Sequence, residues 1–408
     1  MGSLKYYSIL LFVLILSLSF VSAENCVVGA QNKDSCVVVF EDANLKAILK
    51  SSMNIPQTSE ITFADAQKAT QLFLKSKNIH NLAGVEFFVN VKYISADGNN
   101  IDDLSPLSYL NNLEQLHVSE NKIVSLIPLS SLPKLRVLYA GVNLISDITP
   151  ITKMNSLEEL YLGFNTIQII PDLSGMSSIK VLDLSQKKDS LQKIKDITPL
   201  STQKNLRSLS INGANIIDIT PLGGLTNLEI LNLNMNQISD IKPLASLTHI
   251  THLQLHTNKI SDLTPLAGLV DLQYLYLYNN QINDVTALSS SNKLKYLSLK
   301  NNLIVDFSAL YTITSLQTLQ IKGNPFSYNP FVCQWFTLLL NQKSAVDEID
   351  MTKCQNLPKE GDYNKDGLVD MNDVKAIKNN PSQFWTEMGY SLIKVNSFLQ
   401  KLAAGLGK

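Results

Sequence analysis

The chain has 408 residues, 45% of them hydrophobic, which is material for a long continuous core and excludes wholesale disorder. Its 34 basic and 35 acidic residues leave a formal net charge of −1. That balance argues against nucleic acid, whose phosphates call for a concentrated basic face.

The N-terminus has a polar start with Lys5, an apolar run from Ile9 to Phe20, and then Val21-Ser22-Ala23. The run is short for a bilayer span and ends in the small residues a signal peptidase takes, so residues 1–23 read as a secretory signal. The mature chain then starts near Glu24 and is expected to be secreted, extracellular or at the cell surface, with no transmembrane segment.

Internal periodicity dominates the mature chain. Leu113-Glu-Gln-Leu116-His-Val118-Ser-Glu-Asn121-Lys-Ile123 has the form LxxLxLxxNxI, and the same frame opens at Ala69, Val91, Leu135, Leu157, Ile179, Leu206, Leu228, Ile250, Leu272, Leu294 and Leu316. Each step is 22 residues except the 27 from Ile179 to Leu206. The fourth and sixth positions are apolar and alternate with polar neighbours, as at Leu231 and Leu233, which is a strand pattern. One copy cannot bury that edge alone, whereas stacked copies share a parallel sheet and a core. The ninth position is asparagine in most copies, from Asn99 to Asn324. A buried amide there can satisfy the backbone of its own and the adjacent turn. Lys77 and Ala214 break this ladder, and the extra residues around Gln186–Lys193 leave the register at Lys187 open. The second half of a copy reads as Ile260-Ser-Asp262-Leu-Thr-Pro265-Leu266, an Asp-capped turn entering a short helical or 3₁₀ segment.

The fold class expected is therefore an α/β solenoid: twelve leucine-rich repeats over 69–324, a parallel sheet on the concave face and 3₁₀ or turn segments on the convex face. The 22-residue frame with its convex Asp-x-x-Pro-Leu resembles the internalin-type leucine-rich-repeat proteins of bacteria. That resemblance implies a small helical N-terminal cap over 24–68. Phe40-Glu-Asp42-Ala-Asn-Leu45, continuing through Ile48 and Leu49, and Thr62–Lys68 are the matching segments. It also implies recognition of a protein on a host or neighbouring cell. The cysteines and the absence of an immunoglobulin-like run of strands after Pro325 depart from the family's usual form.

Cys26 and Cys36 precede the repeats; Cys333 and Cys354 come after them. Twelve strands about 4.8 Å apart put the two ends on the order of 50 Å from each other. Disulfide Cα atoms lie within about 7 Å, so Cys26–Cys36 and Cys333–Cys354 are the expected pairs. Asn324-Pro-Phe with Cys333-Gln-Trp335-Phe resembles the cysteine-containing caps of extracellular repeat proteins, placing a disulfide cap at 325–357.

Residues 358–408 form a small helical C-terminal module. Asp362, Asn364, Asp366, Asp370 and Asp373 fall at loop positions 1, 3, 5, 9 and 12, with Gly367 at 6 and the Leu368 carbonyl at 7. This is EF-hand spacing and fits one structural Ca²⁺. Asp at position 12 and the lack of an entering helix make the loop resemble half of a dockerin, which implies calcium-dependent assembly as the alternative function. Beyond Pro381, Trp385, Met388, Leu392, Val395, Leu399, Leu402 and Leu406 form an amphipathic stripe that packs on this module or mediates self-association.

The third, fifth and seventh residues of each copy point outward from the sheet. The fifth column runs Phe73, Ser95, His117, Tyr139, Tyr161, Asp183, Ser210, Asn232, Gln254, Tyr276, Ser298 and Gln320. Flanking positions add His252, His256, Tyr274, Tyr278 and Tyr296, with Val137, Val142 and Phe164 nearer the N-terminus. Tyrosines on a rigid sheet bury large area at low entropic cost and suit a protein interface. Tyr139, Tyr161, Phe164, His252, His256, Tyr274, Tyr276, Tyr278 and Tyr296 are the partner-binding candidates. No Ser-His-Asp order, zinc motif, phosphate loop or paired carboxylates emerges, so the expectation is a binding protein and not an enzyme.

Overall fold

In each repeat the leucine alternation yields one three-residue parallel strand, too short to hold itself and dependent on its neighbours. A computed structural model describes residues 24–187, 193–326, 328, 330–341, 345–346 and 353. The signal segment, the calcium-loop residues and the tail lie outside the described residues. The chain divides into two compact units, Met1–Leu206 and Arg207–Lys408.

The first unit carries β1 (Gln71–Phe73), β2 (Tyr93–Ser95), β3 (Gln115–His117), β4 (Val137–Tyr139), β5 (Glu159–Tyr161) and β6 (Val181–Asp183). They pair in chain order, in parallel, each residue facing the one a full repeat away, as Leu116 faces Leu138. The second unit repeats this with β7 (Ser208–Ser210), β8 (Ile230–Asn232), β9 (His252–Gln254), β10 (Tyr274–Tyr276), β11 (Tyr296–Ser298) and β12 (Thr318–Gln320). A thirteenth strand that the repeat does not announce, β13 (Ala345–Val346), pairs with β12. In both units the central residue of each repeat strand is buried, and burying such a leucine contributes about 1.5–3 kcal/mol. Parallel sheets are usually covered on both faces. Here each connection returns on the same side, so the other face stays open to the third and fifth columns.

The asparagine ladder accounts for the turns. Asn143 accepts the Ile123 N–H at 3.0 Å and donates to the Val118 and Ala140 carbonyls at 3.0 and 3.1 Å. Asn280 does the same for Ile260, Leu255 and Leu277, each at 3.0 Å. Each amide therefore satisfies backbone groups in two repeats, which locks their register. In the repeats an asparagine twenty residues on accepts the N–H of the eleventh residue, but for Ile194 that offset falls on Ala214. Gln186, buried and one methylene longer, accepts the Ile194 N–H at 2.8 Å and donates to Ile167 at 2.5 Å. Gln186 thereby takes the Ile194 N–H that Ala214 cannot accept.

On the outer side, short 3₁₀ segments such as Thr149–Lys153 and Thr264–Leu266 carry Pro in their first turn. The aspartate two residues before each one takes its first N–H, Asp147 from Thr149 and Asp262 from Thr264, both at 2.8 Å.

At the N-terminus stand α1 (Ala43–Ser52) and α2 (Phe63–Lys68), the latter with a reciprocal Thr62–Asp65 capping box. Asp42 caps α1 through Asn44 and Leu45 and also accepts the backbone N–H groups of His80 and Asn81. Burial alone would raise this carboxyl; the four donors outweigh it and hold it below its ordinary value. One side chain thus ties the cap to the first repeat. Cys26 and Cys36 are joined by a disulfide with Cα atoms 5.1 Å apart. At the other end α3 (Pro330–Asn341) buries Trp335 and Phe336, with Tyr311 and Phe326 against them. Cys333 on this helix is disulfide-bonded; Cys354 lies outside the described residues.

Candidate functional site

Parallel in-register pairing places residues of one column side by side on adjacent strands, so aromatic rings in a column stack. In the first unit five rings form one file. Phe73 contacts Tyr93 at 5.8 Å between centroids, Tyr93 contacts His117 at 5.3 Å, and His117 contacts Tyr139 at 4.4 Å. Tyr139 and Tyr161 are 4.1 Å apart and nearly parallel. Phe73 ends the file and is 64% exposed, beside a shallow depression of about 370 Å³ lined by Gln71, Phe73, Lys92, Tyr93, Glu114 and Gln115.

Tyr93 is the member that column reading missed. It belongs to the third column, where β2 has Ser95 in the fifth. Ser95 is buried despite its outward position. The signal available in the sequence was a small residue in the file with an aromatic two residues before it. The second unit repeats the device: Tyr296 in the third column contacts Tyr276 of the fifth at 4.5 Å, and Ser298 is fully buried. Gln320 accepts hydrogen bonds from both the Tyr296 and Ser298 hydroxyls at 2.9 Å.

The remaining second-unit candidates are two His–Tyr stacks, His252 on Tyr274 at 4.4 Å and His256 on Tyr278 at 4.0 Å. Together with the Tyr276–Tyr296 contact, they bring Tyr274, Tyr276, Tyr278, Tyr296 and His252 onto one half-exposed surface. His256 behaves differently from its sequence assignment as a contact residue. It lies between Tyr278 and Asn234, which accepts its backbone N–H, and is only 8% exposed. It supports Tyr278 and offers little surface to a partner. Burial pushes its imidazole down to about 4. Burial and then the Lys295 charge lower His252 as well. Both shifts favour the neutral imidazole. Burial also raises the Tyr278 phenol. For Tyr161 burial, then the neighbouring Tyr139 hydroxyl and Glu159 carboxylate, push the phenol up.

The two faces carry opposite charge. The outward positions of the β1–β6 repeats hold Asp97, Glu159 and Asp183 against Lys75; those of the β7–β12 repeats hold Lys300 and Lys322 and no carboxylate. Along the second position of the repeat, charges pair from turn to turn. Arg136 and Lys180 both reach Glu158, at 2.6 and 2.7 Å, and hold its carboxyl down at about 2. In the other unit Arg207 reaches Glu229 at 2.6 Å.

Among the described residues there is no group of three His, Cys, Asp or Glu side chains able to hold a metal. No described helix is long and apolar enough to cross a membrane. The partner-binding candidates fall on two aromatic surfaces, one per unit, except Phe164, which sits on the turn after β5 and is 45% exposed.

A stack of three-residue parallel strands, a hydrogen-bonded asparagine in most turns and 3₁₀ returns on one side define a leucine-rich-repeat solenoid. The chain matches the family described as Leucine Rich repeats (2 copies) over residues 111–153 and, in overlapping windows, 204–312. It is similar to a crystal structure of an internalin (inlF) from Listeria monocytogenes, with 34% identity and a TM-score of 0.67, over 71% of this chain and 84% of that one. The functional domain of InlJ from the same organism shares the fold at 23% identity and a TM-score of 0.60, over 78% of this chain and 63% of that one. So does a Leptospira interrogans leucine-rich-repeat protein, at 23% identity and a TM-score of 0.51, over 67% of this chain and 82% of that one. No curated protein matches the chain. The chain belongs to the internalin family of leucine-rich-repeat proteins.

Proposed function

We propose that this is a secreted or cell-surface recognition protein that binds a protein partner on a host or neighbouring cell through the aromatic rows of its sheet. The observation that carries the reading is the stacking of the candidate tyrosines across strands, half-exposed on a rigid frame. Stacked rings also favour a protein over a glycan. Sugars pack on open ring faces, whereas rings 4.0–4.5 Å apart hide their faces in each other and present edges and hydroxyls. Membership of the internalin family, the signal-like residues 1–23 and the Cys26–Cys36 disulfide support the extracellular setting. A single Ca²⁺ held by Asp362, Asn364, Asp366, the Leu368 carbonyl, Asp370 and Asp373 is part of the proposal and stiffens the C-terminal module. The dockerin-like spacing of that loop motivates the second reading, calcium-dependent assembly through residues 358–408.

Residues 24–408 immobilised and exposed to host-cell surface extracts, with calcium and with chelator, test the two readings. Capture that persists in chelator and falls at least tenfold in Tyr274→Ser/Tyr276→Ser, with folding unchanged, is the expected result. Capture abolished by chelator and indifferent to the tyrosine changes transfers the function to the calcium module.

A further inference from the structure

We infer that the sheet face of the first unit docks a protein segment in which a large apolar side chain adjoins arginine or lysine. This rests on the reading of the sheet as a protein-binding surface and adds what that surface selects.

The apolar preference originates at the eighth position of each repeat. Its backbone N–H donates to the seventh-position carbonyl of the next repeat, Val142 to Gly163 at 2.8 Å and Phe164 to Ser185 at 2.6 Å. The bond comes with a left-handed backbone: φ is +55° at Val142 and +63° at Phe164. Glycine or asparagine suits that conformation, and the frame uses them at Gly98, Gly213, Asn279, Asn301 and Gly323, with Ser76, Glu120, Thr257 and the isolated Met235 in the other left-handed turns. A β-branched residue is the poorest choice there. Val142 and Phe164 nevertheless occupy two consecutive repeats and are 40% and 45% exposed, so burial does not explain them. They stand three residues beyond Tyr139 and Tyr161, the most tightly stacked pair of the ring file. Strain retained for an exposed apolar side chain marks a surface kept for an external partner.

Charge decides the occupant. Glu159 shares β5 with Tyr161, and Asp183 is Tyr161's register partner on β6. Glu159 accepts the Tyr161 hydroxyl on Oε2 at 3.2 Å, and Asp183 accepts the Ser185 N–H and hydroxyl on Oδ1 at 2.9 and 2.6 Å. Their other oxygens, Oε1 and Oδ2, accept no bond from a described residue. The outward positions of β2–β6 carry no lysine or arginine. An acidic peptide would meet uncompensated like charge here, whereas a guanidinium or ammonium beside an apolar anchor finds both of its complements.

Phage-displayed random twelve-residue peptides panned on immobilised residues 24–408 test this. Enriched sequences are expected to pair Phe, Leu, Trp or Met with Arg or Lys within a few positions. Val142→Asn/Phe164→Asn should lower their capture at least tenfold, while the melting temperature stays equal or rises, because asparagine fits the left-handed backbone. Glu159→Gln/Asp183→Asn should remove the basic preference and keep the apolar one. Three results overturn the inference: basic peptides captured undiminished by the asparagine variant, a fall in its melting temperature, or enrichment of acidic sequences. If acidic sequences are enriched and lost in Tyr274→Ser/Tyr276→Ser, the inference fails and the protein-binding reading stands. Peptides that ignore every sheet substitution, or no enrichment over the blank support, defeat both.

Discussion

On β1–β5 the rings run in a single file, each leaning on the ring of the next strand. On β9–β11 they form three separate contacts side by side, and histidines serve as the base of two of them. The first surface is flanked by carboxylates, the second by lysines. Underneath, the regular repeats of the two units match: their central strand residues are buried and the same amide-to-backbone bonds recur at nearly identical distances. The repeat frame dictates the backbone so completely that the outward columns are released from folding. They can take different chemistry in each unit without altering the core.

The strongest way to break that view is to attack the frame in each unit. Asn143→Ala and Asn280→Ala each leave one backbone N–H without its acceptor and take one of two donors from two carbonyls, the neighbouring ladder asparagines keeping the other. With the orphaned N–H costing about 1–3 kcal/mol and the two weakened carbonyls adding a little, each variant should lose about 2–3 kcal/mol. Urea unfolding monitored by circular dichroism should show losses equal to within about 1 kcal/mol. A large loss in one unit and none in the other would mean that the units do not share one stabilising frame.

A smaller effect separates the surfaces by pH. The His256 ring sits near 4 in the folded chain against an ordinary 6.5. Its contribution is therefore complete above about pH 6.5 and is lost as pH falls through 6.5 toward 4. His252 adds to it with the same sign. Glu158 in the first unit, held near 2 against 4.5, loses its contribution only between about 4.5 and 2. At about 1.4 kcal/mol per tenfold change in proton affinity, roughly 3 kcal/mol bounds the His256 loss. The stability gap between the natural chain and His256→Asn should shrink by about 2 kcal/mol from pH 7 to pH 4.5. A gap that does not move with pH would mean the ring is not buried as its stacking on Tyr278 implies.

Features set by periodicity were legible in the sequence, and features set by a single contact were not. Strands, register and the asparagine ladder come from a frame that twelve copies state over and over. The Gln186 substitution does not, because it depends on one longer side chain reaching a turn that the irregular repeat has displaced. Tyr93 escaped for a similar reason: its ring joins a file from the neighbouring column, and only the packing around Ser95 reveals it. The calcium-loop residues and the partner of Cys333 were read from spacing and lie outside the described residues. The left-handed turn at Val142 and Phe164 was hidden by the very regularity of the frame. The eighth position tolerates so many residue types that two misfits did not stand out.

The smallest prediction probes the boundary between frame and face at a glycine. A methyl group on Gly163 would come within 2.7 Å of Oδ2 of Asp183, while one on Gly141 would come within 3.1 Å of the Gly163 carbonyl. The first obstacle is the end of a side chain, the second is backbone. Gly163→Ala can be accommodated by turning the Asp183 carboxylate away, which gives up its bonds to Ser185, so the loss should be about 1 kcal/mol. Gly141→Ala must shift the strand-end backbone of the next repeat and should cost somewhat more, still under about 2 kcal/mol. The two variants also differ in what they do to the surface, since only Gly163→Ala moves a carboxylate that the apolar–basic segment would meet. Thermal unfolding ranks the two costs. Peptide capture should fall further for Gly163→Ala than its stability loss explains, and equal capture by both variants would remove Asp183 from the surface that selects the partner.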